Sequence, residues 1–254
     1  MKKLMFGVVM IMMMGVTTAQ EYKVSKSTGK LDVKDLNRVE FVAATGNEIV
    51  FSSRNGKRDK DPRAEGLKAV SAMGLEDNTG FGLSVLVKGD VIEVRQLKKM
   101  DGPDVKIAVP KGVSISFSHS SPHGSDVTFT SIESEIEVST VHNGVYLDNP
   151  TGPLTINTVH GEIEVKLGAT FKSPISLVTV HGHVDLAIPA TTKADLKMKT
   201  VYGEIFVDPD FKLQIEPKDG MVKYSNTITS KINGGGQELN LSATHGSVYL
   251  RKKQ

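Results

Sequence analysis

Apolar and polar residues alternate in short bursts along the second half of the chain, and the bursts recur. Leu154, Ile156 and Thr158 alternate with polar residues, His160-Gly161 follows, and Ile163 and Val165 resume the alternation. The phrase returns as Ile175, Leu177, Thr179, His181-Gly182, Val184 and Leu186, then as Leu196, Met198, Thr200, Tyr202-Gly203, Ile205 and Val207. It ends the chain as Leu239, Leu241, Ala243, His245-Gly246, Val248 and Leu250. Ile136, Val138, Thr140, Val145 and Leu147 match it upstream, around Asn143-Gly144. Leu213, Ile215, Asp219-Gly220, Val222 and Tyr224 form a degenerate copy. The leading positions 136, 154, 175, 196, 213 and 239 lie 18, 21, 21, 17 and 26 residues apart. Period-two alternation predicts strands with one buried face. Self-similarity near a 20-residue period predicts a solenoid.

Apolar parity flips across each corner, from 154/156/158 to 163/165, so the corner must re-aim the chain. Glycine reaches φ > 0 without steric cost. That predicts Gly144, Gly161, Gly182, Gly203, Gly220 and Gly246 as structural corners. Two architectures fit: a solenoid whose coils stack about 4.8 Å apart, or a meander in which each strand–corner–strand unit is a hairpin. His-Gly is not a favoured two-residue hairpin turn, and the corner residue types recur in register. The prediction is therefore an all-β, parallel β-solenoid (β-helix-like) of about six irregular coils. Length variation falls in outer loops marked by Pro150, Pro153, Pro174, Pro189 and Pro209.

Residues 1–20 read as a secretory signal peptide: Lys2 and Lys3, the apolar run Leu4 to Val16, then Thr17-Thr18-Ala19. The run is too short to span a bilayer comfortably, and no cysteine follows it to carry a lipid anchor. Residues 21–36 read as a polar leader. Residues 37–112 read as a β-rich N-terminal part continuous with the solenoid. It has strands at 39–43, 49–51 and 105–109, and a hairpin of 83–87 and 91–94 about Lys88-Gly89-Asp90. The charged stretch 54–63 is a solvated loop, and 66–70 fits a short helix or a strand equally. Residues 113–250 hold the repeats. The basic tail 251–254 reads as a guard on a bare final edge, with the insertion 225–237 folding over that edge.

The chain has no cysteine, which excludes a disulfide framework. Without Lys2 and Lys3, 31 − 2 = 29 basic residues face 29 acidic ones. A balance near zero gives no electrostatic case for nucleic acid.

Two constellations could carry chemistry. His142, His160 and His181, with His245 at the last corner, are candidate metal ligands, since imidazole suits transition metals. The alternative is a structural corner ring stacked on its neighbours, and Tyr202 interrupts the histidines in chain order. Glu162, His183 and Glu204 form an outward column beside the corners, and Glu164, Asp185, Phe206 and Tyr249 form the next. Carboxylates flanking a histidine could do acid–base work. Coils stacked in chain order put Glu162 and Glu204 two rungs apart, about 9.6 Å, slightly long even for an inverting glycosidase pair. No phosphate loop, nucleophile elbow or zincin motif is present. The reading is a non-enzymatic protein without cofactor.

Four further stretches carry a likeness to a known family. They are Gly74-Leu75-Glu76-Asp77-Asn78-Thr79-Gly80, Val109-Pro110-Lys111-Gly112-Val113, the Thr-Val-His-Gly repeats and Ile188-Pro189-Ala190-Thr191-Thr192-Lys193-Ala194-Asp195-Leu196. Together they resemble the bacterial putative adhesin family, domain of unknown function 4097, from about Asn37 to Leu250. The resemblance implies a right-handed β-solenoid at the cell envelope, in the periplasm, on the outer surface or secreted. It implies an adhesin-like or structural role toward an envelope component, a surface glycan or a protein. It supplies no catalytic residues. The alternatives are a carbohydrate-active enzyme using Glu162, Glu204 or Asp185, and a histidine-ladder metal-binding protein.

Overall fold

The computed structural model describes residues 20–54, 61–213, 215 and 226–253. The signal-peptide stretch lies outside them. Each repeat except the degenerate one at Leu213 gives one strand to each of two ten-stranded, mostly parallel sheets. Strands before the corners build one sheet, strands after them the other. Ile136–Thr140 pairs in parallel with Leu154–Thr158, which pairs with Ile175–Thr179. Across the corners, Val145–Asp148, Ile163–Lys166 and Val184–Ile188 pair likewise. The two strands flanking a corner lie in different sheets, so they are not hairpins and the meander is excluded.

The buried faces meet between the sheets. Leu154, Ile156, Ile163, Ile175, Leu177, Val184 and Leu186 are all fully buried. Toward the N-terminal part the core widens and phenylalanines fill it. Phe41 stacks on Phe129 at 4.7 Å and meets Phe117 edge-on at 6.0 Å.

The corner glycines are needed for a reason other than the one expected. None of Gly161, Gly182, Gly203 or Gly246 has a positive φ. Instead each coil crosses its neighbour so closely that a Cβ would overlap a carbonyl. Gly161 faces Asn143 O, Gly182 faces Gly161 O, Gly246 faces Gly182 O and Gly203 faces Gly246 O. Asn143, not Gly144, occupies this slot in the first copy. Gly144 stands one position later, where its N–H donates to Asp126 Oδ1 (2.7 Å). Asn143 is tolerated because it opens the column, and its side chain reaches back to Ser125 O (2.5 Å). Corner Gly220 lies outside the described residues, as do Asp219, Val222 and Tyr224. Leu213 and Ile215 of that copy join no strand.

Coils do not stack in chain order. The last repeat, Gln237–Ala243 and Val248–Lys252, slides between the Ile175/Val184 coil and the Ala194/Ile205 coil. The other end mirrors this. Thr28–Lys34 and Arg38–Ala43 lie between Val91–Gln96 with Asp104–Val109 and Gly112–His119 with Val127–Thr130. Residues 21–36 are therefore not a polar leader. Leu31 and Val33 are fully buried; their alternation is masked by Lys30, Asp32 and Lys34 on the outer face.

The stack ends on antiparallel strands and, in one sheet, on Glu21–Val24, which runs antiparallel to Ile49–Ser53. Leu83–Lys88 closes one end antiparallel to Val91–Gln96, through the expected hairpin, and Ile49–Ser53 closes it antiparallel to Asp104–Val109. At the other end Asn226–Ile232 runs antiparallel to Ala194–Thr200. The insertion thus covers an edge, but of a different coil from the final one. The final strand is not the bare edge expected: Val248–Leu250 pairs on both sides, while Arg251 and Lys252 pair with Ala187 and Ile188 on one side. Its charges serve neighbouring strands. Arg251 Nε donates to Asp185 (2.7 Å), Lys252 Nζ to Asp210 Oδ2 (2.6 Å) and Lys253 Nζ to Leu167 O (2.7 Å). Residues 66–70 form neither helix nor strand; Val70 makes an isolated bridge to Glu76.

Two outcomes are expected. Gly182→Ala forces a Cβ against the Gly161 carbonyl and destabilises the fold by about 1–3 kcal/mol, the range for overpacking. Gly46→Ala, where a Cβ meets nothing within 4 Å, changes it by less than about 0.5 kcal/mol. Urea midpoints compare them. Replacing Arg251, Lys252 and Lys253 by Ser lowers the midpoint modestly, and less so in high salt. The triple variant should be as monodisperse as the parent by light scattering.

Candidate functional site: a ring column at the coil corners

Four corners start from a buried threonine, Thr140, Thr158, Thr179 or Thr200, whose hydroxyl serves the turn, and Ala243 fills that slot at the His245 corner. Thr158 Oγ1 donates to Gly161 O (2.6 Å), and Thr179 Oγ1 donates to the same carbonyl (2.8 Å) while accepting from Gly182 N–H (3.1 Å). Thr200 Oγ1 donates to Gly246 O (2.9 Å) and accepts from Gly203 N–H (3.0 Å). Corner backbones tied together in this way hold the residue before each glycine in register.

The result is one column of rings. His142 stacks on His160 at 5.4 Å, His160 on His181 at 4.9 Å, His181 on His245 at 4.7 Å and His245 on Tyr202 at 4.6 Å, all within 10° of parallel. The histidines are thus contiguous and Tyr202 ends the column instead of interrupting it. His245 fills the gap because its coil is inserted there. All five rings are exposed. Parallel faces hold neighbouring ring nitrogens side by side instead of aiming them at one point. Among the described residues no group of three or more His, Asp or Glu side chains could hold a metal ion.

The carboxylate column also changes with coil order. It runs Glu162, His183, Ser247, Glu204, so Glu162 and Glu204 stand three rungs apart, about 14 Å. The limit for an inverting pair is about 9.5 Å. His183 places Nδ1 3.5 Å from Glu162 and Nε2 3.7 Å from Glu164. Glu162 Oε1 also accepts from the Tyr146 hydroxyl. Burial, and then the Glu162 carboxylate, raise the Tyr146 pKa. In the next column Asp185 is bound by Arg251, whose guanidinium lies 5.1 Å from the Tyr249 ring centre, and Tyr249 stacks on Phe206 at 5.0 Å. The Asp185 contact raises the Arg251 pKa. These acids sit on the outer face of a sheet. Two clefts of about 590 and 500 Å³ lie elsewhere, near Phe171 and Lys193 and near Asn47 and Pro110.

One buried network was not foreseen. His119 occupies the slot of the corner threonines, opposite Thr140, and is 1% exposed. Its Nε2 lies 3.1 Å from Asn37 Oδ1, and Asn37 N–H donates to Gln96 Oε1 (3.0 Å). His119 Nδ1 and Asn143 Oδ1 have no hydrogen-bond partner. Burial lowers the His119 pKa. A histidine in a polar Ser-His-Ser-Ser stretch gives no sequence signal for burial. Register with Thr140 is the only sign, and it needs the strand pairing. His245, by contrast, could be placed from sequence by ordering repeats on corner identity instead of chain position.

The chain belongs to the Toastrack DUF4097 family, whose model matches residues 92–251. No curated protein matches it significantly. Three solved structures share weak likeness. A putative cell adhesion protein from Clostridium sporogenes is 10% identical, covering 93% of this chain and 100% of its own, with a TM-score of 0.43. A putative adhesin from Bacteroides fragilis is 11% identical over 92% and 97%, with a TM-score of 0.32. Another from Parabacteroides merdae is 9% identical over 93% and 97%, with a TM-score of 0.28. Likeness at this level carries no argument about ligands. No helix among the described residues is long and apolar enough to cross a membrane.

The buried histidine gives a pH dependence with a definite sign. Below pH 6.5 the unfolded chain binds a proton at His119 that the folded site resists. Stability is therefore complete above that value and falls as pH drops through the lower folded pKa. Urea midpoints measured from pH 8 to 4.5 for wild type and His119→Gln check this. The difference between the two should narrow as pH falls.

Proposed function

We propose that this protein is a non-enzymatic, exported module of the cell envelope that binds through its surface. Its coils wind right-handed, the hand that parallel strand crossovers adopt almost without exception. The observation that carries the reading is the in-register stacking of exposed side chains. Rungs that repeat without interruption make flat faces and a continuous ring column, which suit recognition of an extended surface. Catalysis needs groups converging on one reacting atom. Here Glu162 is engaged by Tyr146 and His183, Asp185 by Arg251, and Glu204 stands three rungs from Glu162. The signal-peptide pattern of residues 1–20 supports a function outside the cytoplasm. The partner is an envelope protein or surface glycan.

The test is retention of the purified chain on a washed bacterial envelope fraction, followed by assay for released reducing ends. The expected outcome is saturable retention with no release, unchanged in Glu162→Gln and Glu204→Gln. Turnover that disappears in either variant would replace this reading with an enzyme.

A further inference from the structure

The inserted last coil has a cleft of about 590 Å³ beside it, on the side of the stack away from the corners. Ala194 pairs with Gln237 and Ile175 with Leu239, which puts Ser173 one rung beyond Gln237. The stretches leading into Ile175–Thr179 and Ala194–Thr200 therefore stand two rungs apart, about 9.6 Å, with Gln237 between them. Phe171 and Ser173 line one wall, Thr191 and Lys193 the other, and Gly236 and Gln237 lie between. Asn226–Ile232 reaches this side with Ile232, since Asn226 lies opposite Thr200 at the corner. The volume is that of a small-molecule site.

The lining has the chemistry of a sugar site. Phe171 is half-buried against the core, so its ring is held as a flat apolar surface, suited to the C–H face of a pyranose. Ser173, Thr191 and Gln237 carry groups that both donate and accept, as sugar hydroxyls do. Among the described residues the charge in the lining is Lys193, which is exposed, and a carboxylate is its complement. A phosphate fits less well, because the N–H groups of the glycine turn are spent inside the protein. Gly235 N–H donates to Ile232 O (3.1 Å), Gly236 N–H to Asp195 Oδ2 (3.3 Å) and Gln237 N–H to Lys193 O (3.0 Å). Asp195, beside that turn, also opposes a second negative charge. The cleft of about 500 Å³ is lined by both Lys111 and Glu133 and by no aromatic ring among the described residues.

We propose that this cleft binds a glycan through a sugar that carries a carboxylate, such as a uronic acid. The C–H face of the sugar lies on Phe171 and its carboxylate pairs with Lys193. Its hydroxyls exchange hydrogen bonds with Ser173, Thr191 and Gln237. The inference chooses a glycan as the partner of the binding module proposed above, gives it a site, and rests on that reading.

The probe is a disaccharide of glucuronic acid and N-acetylglucosamine, titrated into the purified, isotope-labelled chain and followed by amide chemical shifts. A dissociation constant of about 1 mM or below is expected, with shifts centred on 169–173, 190–193 and 235–237. The counterpart whose carboxylate is reduced to a primary alcohol should bind about fivefold more weakly or worse. Lys193→Gln should remove that preference and Lys193→Arg should keep it. Phe171→Leu, which leaves an apolar side chain against the core, should weaken both sugars by about fivefold or more. Lys193 is exposed, so its variants keep the fold and the test stands even where Phe171→Leu does not fold. No shifts at about 10 mM, shifts centred elsewhere on the stack, equal binding of the reduced sugar, or a preference that survives Lys193→Gln overturns the proposal. So does equal binding of acetate or inorganic phosphate at the same residues, which makes the cleft an ion contact only. Disaccharide failure with envelope retention intact sinks the cleft alone; disaccharide binding without envelope retention leaves a sugar site and sinks the envelope module.

Discussion

The close approach of coil backbones at the corners is the constraint on which the rest depends. Gly161, Gly182, Gly246 and Gly203 each lie against the carbonyl of the coil before, with no room for a Cβ. That contact keeps successive coils at strand spacing at the point where the chain turns from one sheet to the other. The buried threonines tie the same carbonyls. Once the corners are fixed, parallel register follows on both sides, and with it the stacking of every inward and outward side chain. The ring column expresses this on the surface. Its spacings, 4.6 to 5.4 Å, are those of the strands beneath.

Register also limits what the molecule can do chemically. Stacked coils repeat the same residue type along a line, so they array groups instead of converging them. Histidines stack face to face, acids pair with a base or hydroxyl on a neighbouring rung, and the outer faces remain open. Such a surface is suited to contact over distance. The asymmetry of the stack ends adds a local feature to this repetition. Two sheet edges at one end and one at the other are closed by antiparallel strands, and among the described strands Ile205–Val207 pairs on one side only.

Threading is the least expected property. The coil Thr28–Lys34/Arg38–Ala43 and the last coil are both slotted inside the stack, whereas Glu21–Val24 lies at a sheet edge against Ile49–Ser53. Insertion of the last coil brings Arg251, Lys252 and Lys253 onto Asp185, Asp210 and Leu167.

The alternation and the recurring corner phrase determined by themselves that the chain is all-β, that strands flank each corner with opposite faces buried, and that corner residues form a column. These are local consequences of side-chain period and of near-identical repeats, and they hold whichever coil lies next to which. The order of the coils was decided only in the tertiary structure, because pairing partners are chosen by complementarity of whole strands. His245 beside His181, Glu204 three rungs from Glu162, and Leu31 and Val33 in the core among lysines all depend on that choice. The reason for the corner glycines was hidden likewise. A glycine required by its own φ and one required by a neighbour's carbonyl look the same in a sequence, and only the packed backbone tells them apart.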